Sequence, residues 1–288
     1  MNGRSSMEIL DWDGHRMEVA RSRNGVLAAC YHHHNLIQRA SAVGEPAEII
    51  QKLVRSRHSG DFDRKERERL YQGLGYYCDL QSLHSEDAIT WSVMGNIAHC
   101  DEPVRVRWTR ELFSMLGLKS PEPDHSEIAL WRRVPHPEVL TDKGPEIDFS
   151  VITEDTVLLV ECKWTAGIAR NQGRNRDKDQ IQLRMEFLQR YGRTITCHSK
   201  EARRLVKGIL SGAIKSVPRP DPEFKNLAVL LLTPRQMPIE DKWLAEGVEV
   251  RATTWQDVCS MKSHPWADEV LSYYKWKHDH TRWEVPNN

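Results

Sequence analysis

An α/β chain with a mixed central sheet flanked by helices is predicted for these 288 residues on three observations. The run Leu227-Ala228-Val229-Leu230-Leu231-Leu232 is continuously apolar, as a strand buried on both faces should be. A polar centre at Thr153-Glu154-Asp155-Thr156, flanked by aliphatic and β-branched residues, predicts a β-hairpin. Between about residues 85 and 232 the patterns run helix, strand, strand, strand, helix, strand. A smaller, β-rich opening precedes them, so residues 1–80 are expected to form an α+β accessory region and residues 81–288 the main domain.

In order along the chain, Leu10 to Ala20 and Val26 to Tyr31 have strand character, with Asp13-Gly14 and Asn24-Gly25 as turn signals. Residues 45–55 and 64–77 are expected as helices, the first opening with Pro46 at a favoured first-turn position. Ser85 caps a helix running to about Ala98, with Glu86 and Asp87 complementing the helix dipole. Another spans residues 106–116 and stops at Gly117. A strand over 128–134 leads into the hairpin. Residues 177–191 form a helix with apolar Ile181, Leu183, Met185, Phe187 and Leu188. Helices at 201–210 and 239–246, a strand at 248–253, a helix from Trp255 and a helical tail from Trp266 complete the expectation.

Composition excludes several classes. Lys plus Arg and Asp plus Glu balance at 41 each, so no global basic field announces a nucleic-acid partner. The basic residues are unevenly placed: Lys163 to Lys207 contains twelve Lys or Arg against four Asp or Glu. Arg170, Arg174, Arg176 and Lys178 fall in a glycine-containing stretch that could follow a phosphate backbone. Taken alone, that stretch is an ordinary solvated loop. The six cysteines are widely spaced without a C-x-x-C pair, as for reduced thiols of a cytoplasmic protein. Cys78, His84, His99 and Cys100 do not match the spacing of a zinc finger. No segment has the length of a membrane span or the layout of a signal peptide.

The hairpin carries the chemistry. With Glu154-Asp155 as a two-residue loop, Thr153 pairs with Thr156, Asp148 lies opposite Glu161, and Glu146 lies opposite Lys163. Alternation then puts Glu146, Asp148, Glu161 and Lys163 on one face, with Ile147, Phe149, Val151, Leu158, Val160 and Cys162 on the other. Directly opposed residues have Cβ atoms about 5 Å apart, close enough for two carboxylates to share a cation. The plainer reading of Glu146 and Lys163 is a cross-strand ion pair on a solvated face, worth roughly 0.2–1 kcal/mol. Against it stands Val157-Leu158-Leu159-Val160, which runs straight into Glu161 and reads as buried. A buried carboxylate without partners is costly.

Gly144-Pro145-Glu146-Ile147-Asp148, followed after twelve residues by Glu161-Cys162-Lys163, closely resembles the signature of the PD-(D/E)XK nuclease superfamily. The resemblance implies a restriction-endonuclease-like core of order αβββαβ. The proline stands three residues before the Asp, a departure that resembles the version in several repair and resolvase-like members. Carried over, the metal ligands are Asp148 and Glu161, and Lys163 orients or activates the attacking water. The cofactor is Mg²⁺, with Mn²⁺ as a substitute. The family also implies a glutamine on the following helix, matched by Gln180, and an acidic residue on the first core helix. For the latter Glu86 is the first candidate and Glu111 the second, although both types of glutamate more often serve the helix itself. Trp164 is expected to pack rather than to stack on a base.

The function this implies is metal-dependent hydrolysis of DNA, in restriction, phage defence or repair. Two-strand cleavage would call for a homodimer, and a defence or repair system would supply partner proteins. The alternative is a catalytically inactive, nuclease-like module that binds nucleic acid or a partner within a larger assembly. RNA is a third, weaker substrate reading, since no aromatic RNA-binding signature is present.

Overall fold

The computed structural model describes residues 7–39, 47–57, 60–72, 74–118, 122–133, 146–168, 177–191 and 226–283. In chain order the first elements are β1 (Met7–Leu10), β2 (Arg16–Arg21), β3 (Leu27–Ala29), α1 (Ala47–Arg55), α2 (Arg64–Leu70), α3 (Glu86–Thr90) and α4 (Asn96–Ala98). They are followed by α5 (Glu102–Leu116), β4 (Glu127–Arg133), β5 (Glu146–Ile152), β6 (Thr156–Cys162) and α6 (Gln180–Tyr191). The last are β7 (Asn226–Thr233), β8 (Glu249–Thr254), α7 (Trp255–Cys259) and α8 (Ala267–His280). The chain is α/β. It divides into two compact units, Met1–His99 with Pro265–Asn288, and Cys100–His264.

The first unit is built on an antiparallel sheet of order β1-β2-β3. Its two reversals place Gly14 and Gly25 at φ of 82° and 84°, the left-handed region that glycine enters without a Cβ penalty. A reciprocal capping box between Asp63 and Glu66 opens α2, and Phe62, Leu70 and Tyr77 pack onto Ala20, Val26, Ala28 and Cys30. A π-helical turn, Trp91–Gly95, joins α3 to α4. The C-terminal helix α8 belongs to this unit: Trp276 Nε1 donates to the Leu10 carbonyl at 2.9 Å, and the Tyr273 hydroxyl donates to the Asn35 carbonyl at 2.9 Å. The expected boundary near residue 80 therefore falls inside the first unit, which also takes in the helical segment at 86–98 and the tail from 265.

The second unit holds a five-stranded sheet of order β4-β5-β6-β7-β8. β4, β5 and β6 are antiparallel, and β6, β7 and β8 run parallel. β6 is central and all seven of its residues are buried. The tight turn forms as its residues predict. The Thr153 N–H donates to the Thr156 carbonyl at 3.0 Å, while the Thr156 N–H and hydroxyl are taken by Thr153 Oγ1 and the Asp155 carboxylate. Parallel pairing of β6 with β7 requires a crossover, and α6 lies within it.

One face of the sheet packs Val157, Leu159, Val229 and Leu231 against Ile181, Met185 and Leu188 of α6 and against Trp243. α5 touches β4 and β8 and contributes the buried Trp108 and Leu112. Its middle is tied by Thr109 Oγ1 to Ser126 Oγ at 2.7 Å, and its C-terminal end by Arg251 Nε donating to the Leu116 carbonyl at 3.1 Å.

Further expectations change, and the helix expected over 64–77 ends at Leu70. Residues 239–246 form only a 3-10 turn, Asp241–Trp243: Trp243 is fully buried, Ile239 and Ala245 are only partly buried against the same cluster, and Leu244 stays 69 % exposed. Ile147 packs with Val157 and Leu159 rather than sharing a face with Phe149 and Val151, so the alternation of β5 breaks at Asp148. The helix expected over 201–210 lies outside the described residues. No helix among those described is long and apolar enough to cross a membrane, and the five described cysteines are unbridged.

Leu231 is fully buried at the centre of the α6-facing cluster. Leu231→Ala should destabilise the protein by about 2–5 kcal/mol, the usual cost of a lost buried side chain plus its cavity. Urea unfolding followed by tryptophan fluorescence measures it.

Candidate functional site

The C-terminal end of β6 delivers Glu161 and, one residue beyond the strand, Lys163. Glu161 is 1 % exposed and Lys163 7 %. A carboxylate so deep must be matched by donors, and both of its oxygens are engaged. Lys163 Nζ meets Oε1 at 2.8 Å and Arg184 Nη2 meets Oε2 at 2.9 Å. Lys163 Nζ also donates to the Cys162 carbonyl at 2.7 Å. Its backbone is equally fixed, the N–H on the Leu232 carbonyl of β7 at 2.8 Å and the carbonyl receiving Trp255 Nε1 at 2.9 Å.

Asp148 reaches this point from β5. Cross-strand pairing with β6 follows the expected register from Ile152–Val157 to Phe149–Val160 and ends there. The further pairs expected at 148/161 and 146/163 are not part of the ladder. Instead Asp148 Oδ2 accepts the Cys162 N–H at 2.7 Å. That bond holds its carboxylate at the strand end beside Glu161 while freeing its backbone from β6. Pairing with β4 is also interrupted here: it includes Leu130–Phe149 and Arg132–Ile147 but skips Trp131 opposite Asp148. Trp131 has φ of 51°, the single positive value among described non-glycine residues. A bulky side chain in that region is strained. The local break in β5 and the strain in β4 meet at the same acidic residue.

The helix α6 supplies the rest. Asp179 caps it: its Oδ1 accepts the Gln182 N–H at 2.9 Å and Gln182 Oε1 accepts the Asp179 N–H at 3.1 Å. Asp179 Oδ2 takes Trp243 Nε1 at 3.0 Å and Lys242 Nζ at 2.9 Å. Burial pushes the Asp179 carboxyl up, but the Gln182 N–H, Lys242 and Trp243 outweigh it and hold it below the ordinary value. The cap fixes where α6 begins, so Gln180 is its first residue, buried, and Arg184 lies one turn further on the same side. Arg184 is 1 % exposed and its Nη2 also donates to the Glu146 carbonyl at 2.8 Å.

Of the residues expected at the site, Asp148, Glu161 and Lys163 come together at the end of the β5–β6 pair, with Gln180 on the adjoining helix. Glu86 does not join them in one unit. It is the first residue of α3, after the Ser85 cap, and belongs to the first unit. The helix that opens the second unit is α5, which carries Glu111. Its carboxylate accepts the Lys262 and Ser263 N–H groups at 2.9 and 2.6 Å. Glu111 thus fastens a loop. Glu146 accepts Arg184 Nη2 through its carbonyl at 2.8 Å, and its expected pairing with Lys163 lies beyond the end of the β5–β6 ladder. Trp164 is buried and meets Trp255 edge-on, with centroids 6.5 Å apart, as packing predicts. Lys178 pairs with Glu186 at 2.6 Å. Arg170, Arg174 and Arg176 lie outside the described residues.

Arg184 is the residue that sequence reasoning missed. It sits in the basic stretch, where a solvated side chain is the ordinary expectation. The available signal was its position on the apolar stripe, three residues after Ile181 and one before Met185.

Among the described residues no three His, Cys, Asp or Glu side chains form a group that could hold a metal. The residues that would hold a cation at the β5–β6 strand end are the two carboxylates Asp148 and Glu161. That set suits Mg²⁺, which commonly binds through one or two carboxylates and keeps waters or phosphate oxygens in its remaining positions. It does not suit a structural zinc, which takes four nitrogen or sulfur ligands.

The Asp179 carboxyl has a folded pKa below its unfolded value of about 3.9. Its contribution to stability is complete above that value and is lost as the pH falls through the folded one. Asp179→Ala should cost about 0.5–2 kcal/mol at pH 7, as loss of a helix cap does. The difference from the parent should shrink below about pH 4 in urea titrations at matched pH.

Comparison of the chain with protein-family models, with curated proteins and with solved structures finds no match in any of the three.

Proposed function

We propose that the second unit is a metal-dependent deoxyribonuclease with a restriction-endonuclease-like core, acting with Mg²⁺ or Mn²⁺. One observation carries the reading: a buried lysine on a buried glutamate, Lys163 Nζ to Glu161 Oε1 at 2.8 Å, at the strand end where Asp148 presents its carboxylate. Among the described residues the elements from α5 to β7 run helix, three strands, helix, strand, and that order supports the same reading.

Asp148 and Glu161 would hold the cation. A bound Mg²⁺ there supplies charge neutralisation at the phosphate and lowers the pKa of a bound water. The remaining work belongs to the chain. Lys163, a compact cation with three donors, orients the attacking water and favours its ionised form once its hydrogen bond to Glu161 is exchanged for one to that water. The Lys163 main chain, pinned to Leu232 and Trp255, keeps the ammonium within reach while its tip moves. Gln180, the first residue of α6, would hydrogen-bond water or phosphate. The Trp164 and Trp255 packing closes the floor behind the lysine.

A second reading has its own observation. Both oxygens of Glu161 are occupied by cationic side chains, as a structural ion-pair cluster would have them in a non-catalytic nucleic-acid or partner-binding module. Calcium separates the two: DNA bound in Ca²⁺ and cut in Mg²⁺ is the result for the enzyme, binding without cutting in any divalent ion the result for the module.

Supercoiled plasmid, linear duplex and single strands should be cut in Mg²⁺ or Mn²⁺. Asp148→Ala and Glu161→Ala should abolish cutting, and Lys163→Ala should lower the rate by roughly 10²–10⁴-fold. Circular dichroism checks that each variant folds. Undiminished cleavage by folded variants sinks the assignment.

A further inference from the structure

Arg184 is one of the largest fully buried side chains of the chain, and its guanidinium is only partly satisfied. Among the described residues, Nη2 donates to the Glu146 carbonyl and to Glu161, while Nε and Nη1 are buried without a partner. Native proteins leave few buried donors unanswered. An apolar side chain of similar size is often at least as stable as a buried charge, so packing does not explain an arginine here.

Its placement does. The β5–β6 ladder ends at Phe149–Val160. Beyond that point the links that join the strands include two described above. One is the Cys162 N–H on Asp148 Oδ2 at 2.7 Å. The other is Arg184 Nη2, which donates to the Glu146 carbonyl on β5 at 2.8 Å and to Glu161 Oε2 on β6 at 2.9 Å. A single nitrogen thus spans the two strand ends that carry Asp148 and Glu161. By occupying Oε2 it leaves Oε1, shared with Lys163, as the oxygen that faces an incoming cation.

We infer that Arg184 is a positioning residue that sets the spacing of Asp148 and Glu161 and presents Glu161 as a one-oxygen ligand to a divalent cation. The inference rests on the reading of these two carboxylates as a cation site. It does not depend on what the loaded site then does.

The test uses the full chain without DNA and Mn²⁺ alone as the probe, titrated by electron paramagnetic resonance, with Asp148→Ala defining binding at this site. Arg184→Gln and Arg184→Met should each weaken that binding by about 10–100-fold, the usual effect of removing a group that orients a metal ligand. Arg184→Lys, which keeps the charge but not the fork, should lose less. Circular dichroism and thermal unfolding are recorded on every variant. A purely structural arginine would shift the melting temperature and leave the Mn²⁺ affinity of the folded protein unchanged. Parent-like affinity in a folded Gln or Met variant overturns the inference, and so does Mn²⁺ binding that ignores Asp148→Ala. If both neutral variants fail to fold, Arg184→Lys decides: weakened Mn²⁺ binding supports the role and parent-like binding overturns it. Cleavage is scored separately. A chain that binds Mn²⁺ through Asp148 but cuts no DNA removes the nuclease reading and leaves the role of Arg184 standing.

Discussion

A carboxylate buried at the end of the central strand governs the arrangement of the second unit. Glu161 is 1 % exposed, and taking a charge that deep costs several kcal/mol unless partners meet it. Lys163 and Arg184 meet it from two directions, one from the strand's own continuation and one from α6. This requires α6 to begin at a fixed residue and to lie against β6 at a fixed rotation. The Asp179 cap sets the first, and Ile181, Met185 and Leu188 in the sheet-facing cluster set the second. The apolar packing and the ion cluster are therefore one constraint seen from its two ends.

The departure from regularity in β5 follows from the same demand. An unbroken ladder would keep Asp148 in step with Glu161 and hold its backbone to β6. Here the ladder stops one pair earlier, the carboxylate turns to the Cys162 N–H, Ile147 packs with Val157 and Leu159, and Trp131 of β4 accepts a left-handed φ. Regular pairing at these positions would gain backbone hydrogen bonds. Giving them up aims Asp148, and irregularity of this kind gathers where a side chain must be aimed.

Much of this was legible in the sequence because it is local. The two-residue loop at Glu154-Asp155, the register that follows from it, the buried run before Glu161 and the helix bearing Gln180 are all consequences of residues within one hairpin or one helix. What failed was long-range. Arg184 lies in a basic stretch whose average character is solvated, and only the docking of α6 turns that one guanidinium inward. Glu86 has a good cap before it, but a cap says where a helix begins and not which unit the helix joins. The tail from residue 265 is helical as expected, yet its tryptophan and tyrosine find carbonyls near residues 10 and 35, a pairing across most of the chain that no local pattern encodes.

Charge balance explains why a site of this form can be compact without a cation and still attract one. Asp148 and Glu161 contribute two negative charges, and Lys163 and Arg184 two positive ones, so the cluster is formally neutral and stable against its own repulsion. On the cation-site reading a divalent ion competes with Lys163 for Glu161 Oε1, and moving the ammonium off that oxygen restores the pull of the two carboxylates on the ion. Of the two resident cations, Arg184 is held on the β5 backbone as well as on Glu161. Lys163 carries its ammonium on a flexible four-carbon stem whose contacts include Glu161 and the Cys162 carbonyl. The lysine is therefore the partner that can let go. On the nuclease reading this asymmetry separates the roles: the arginine keeps the glutamate in place, and the lysine exchanges it for the water.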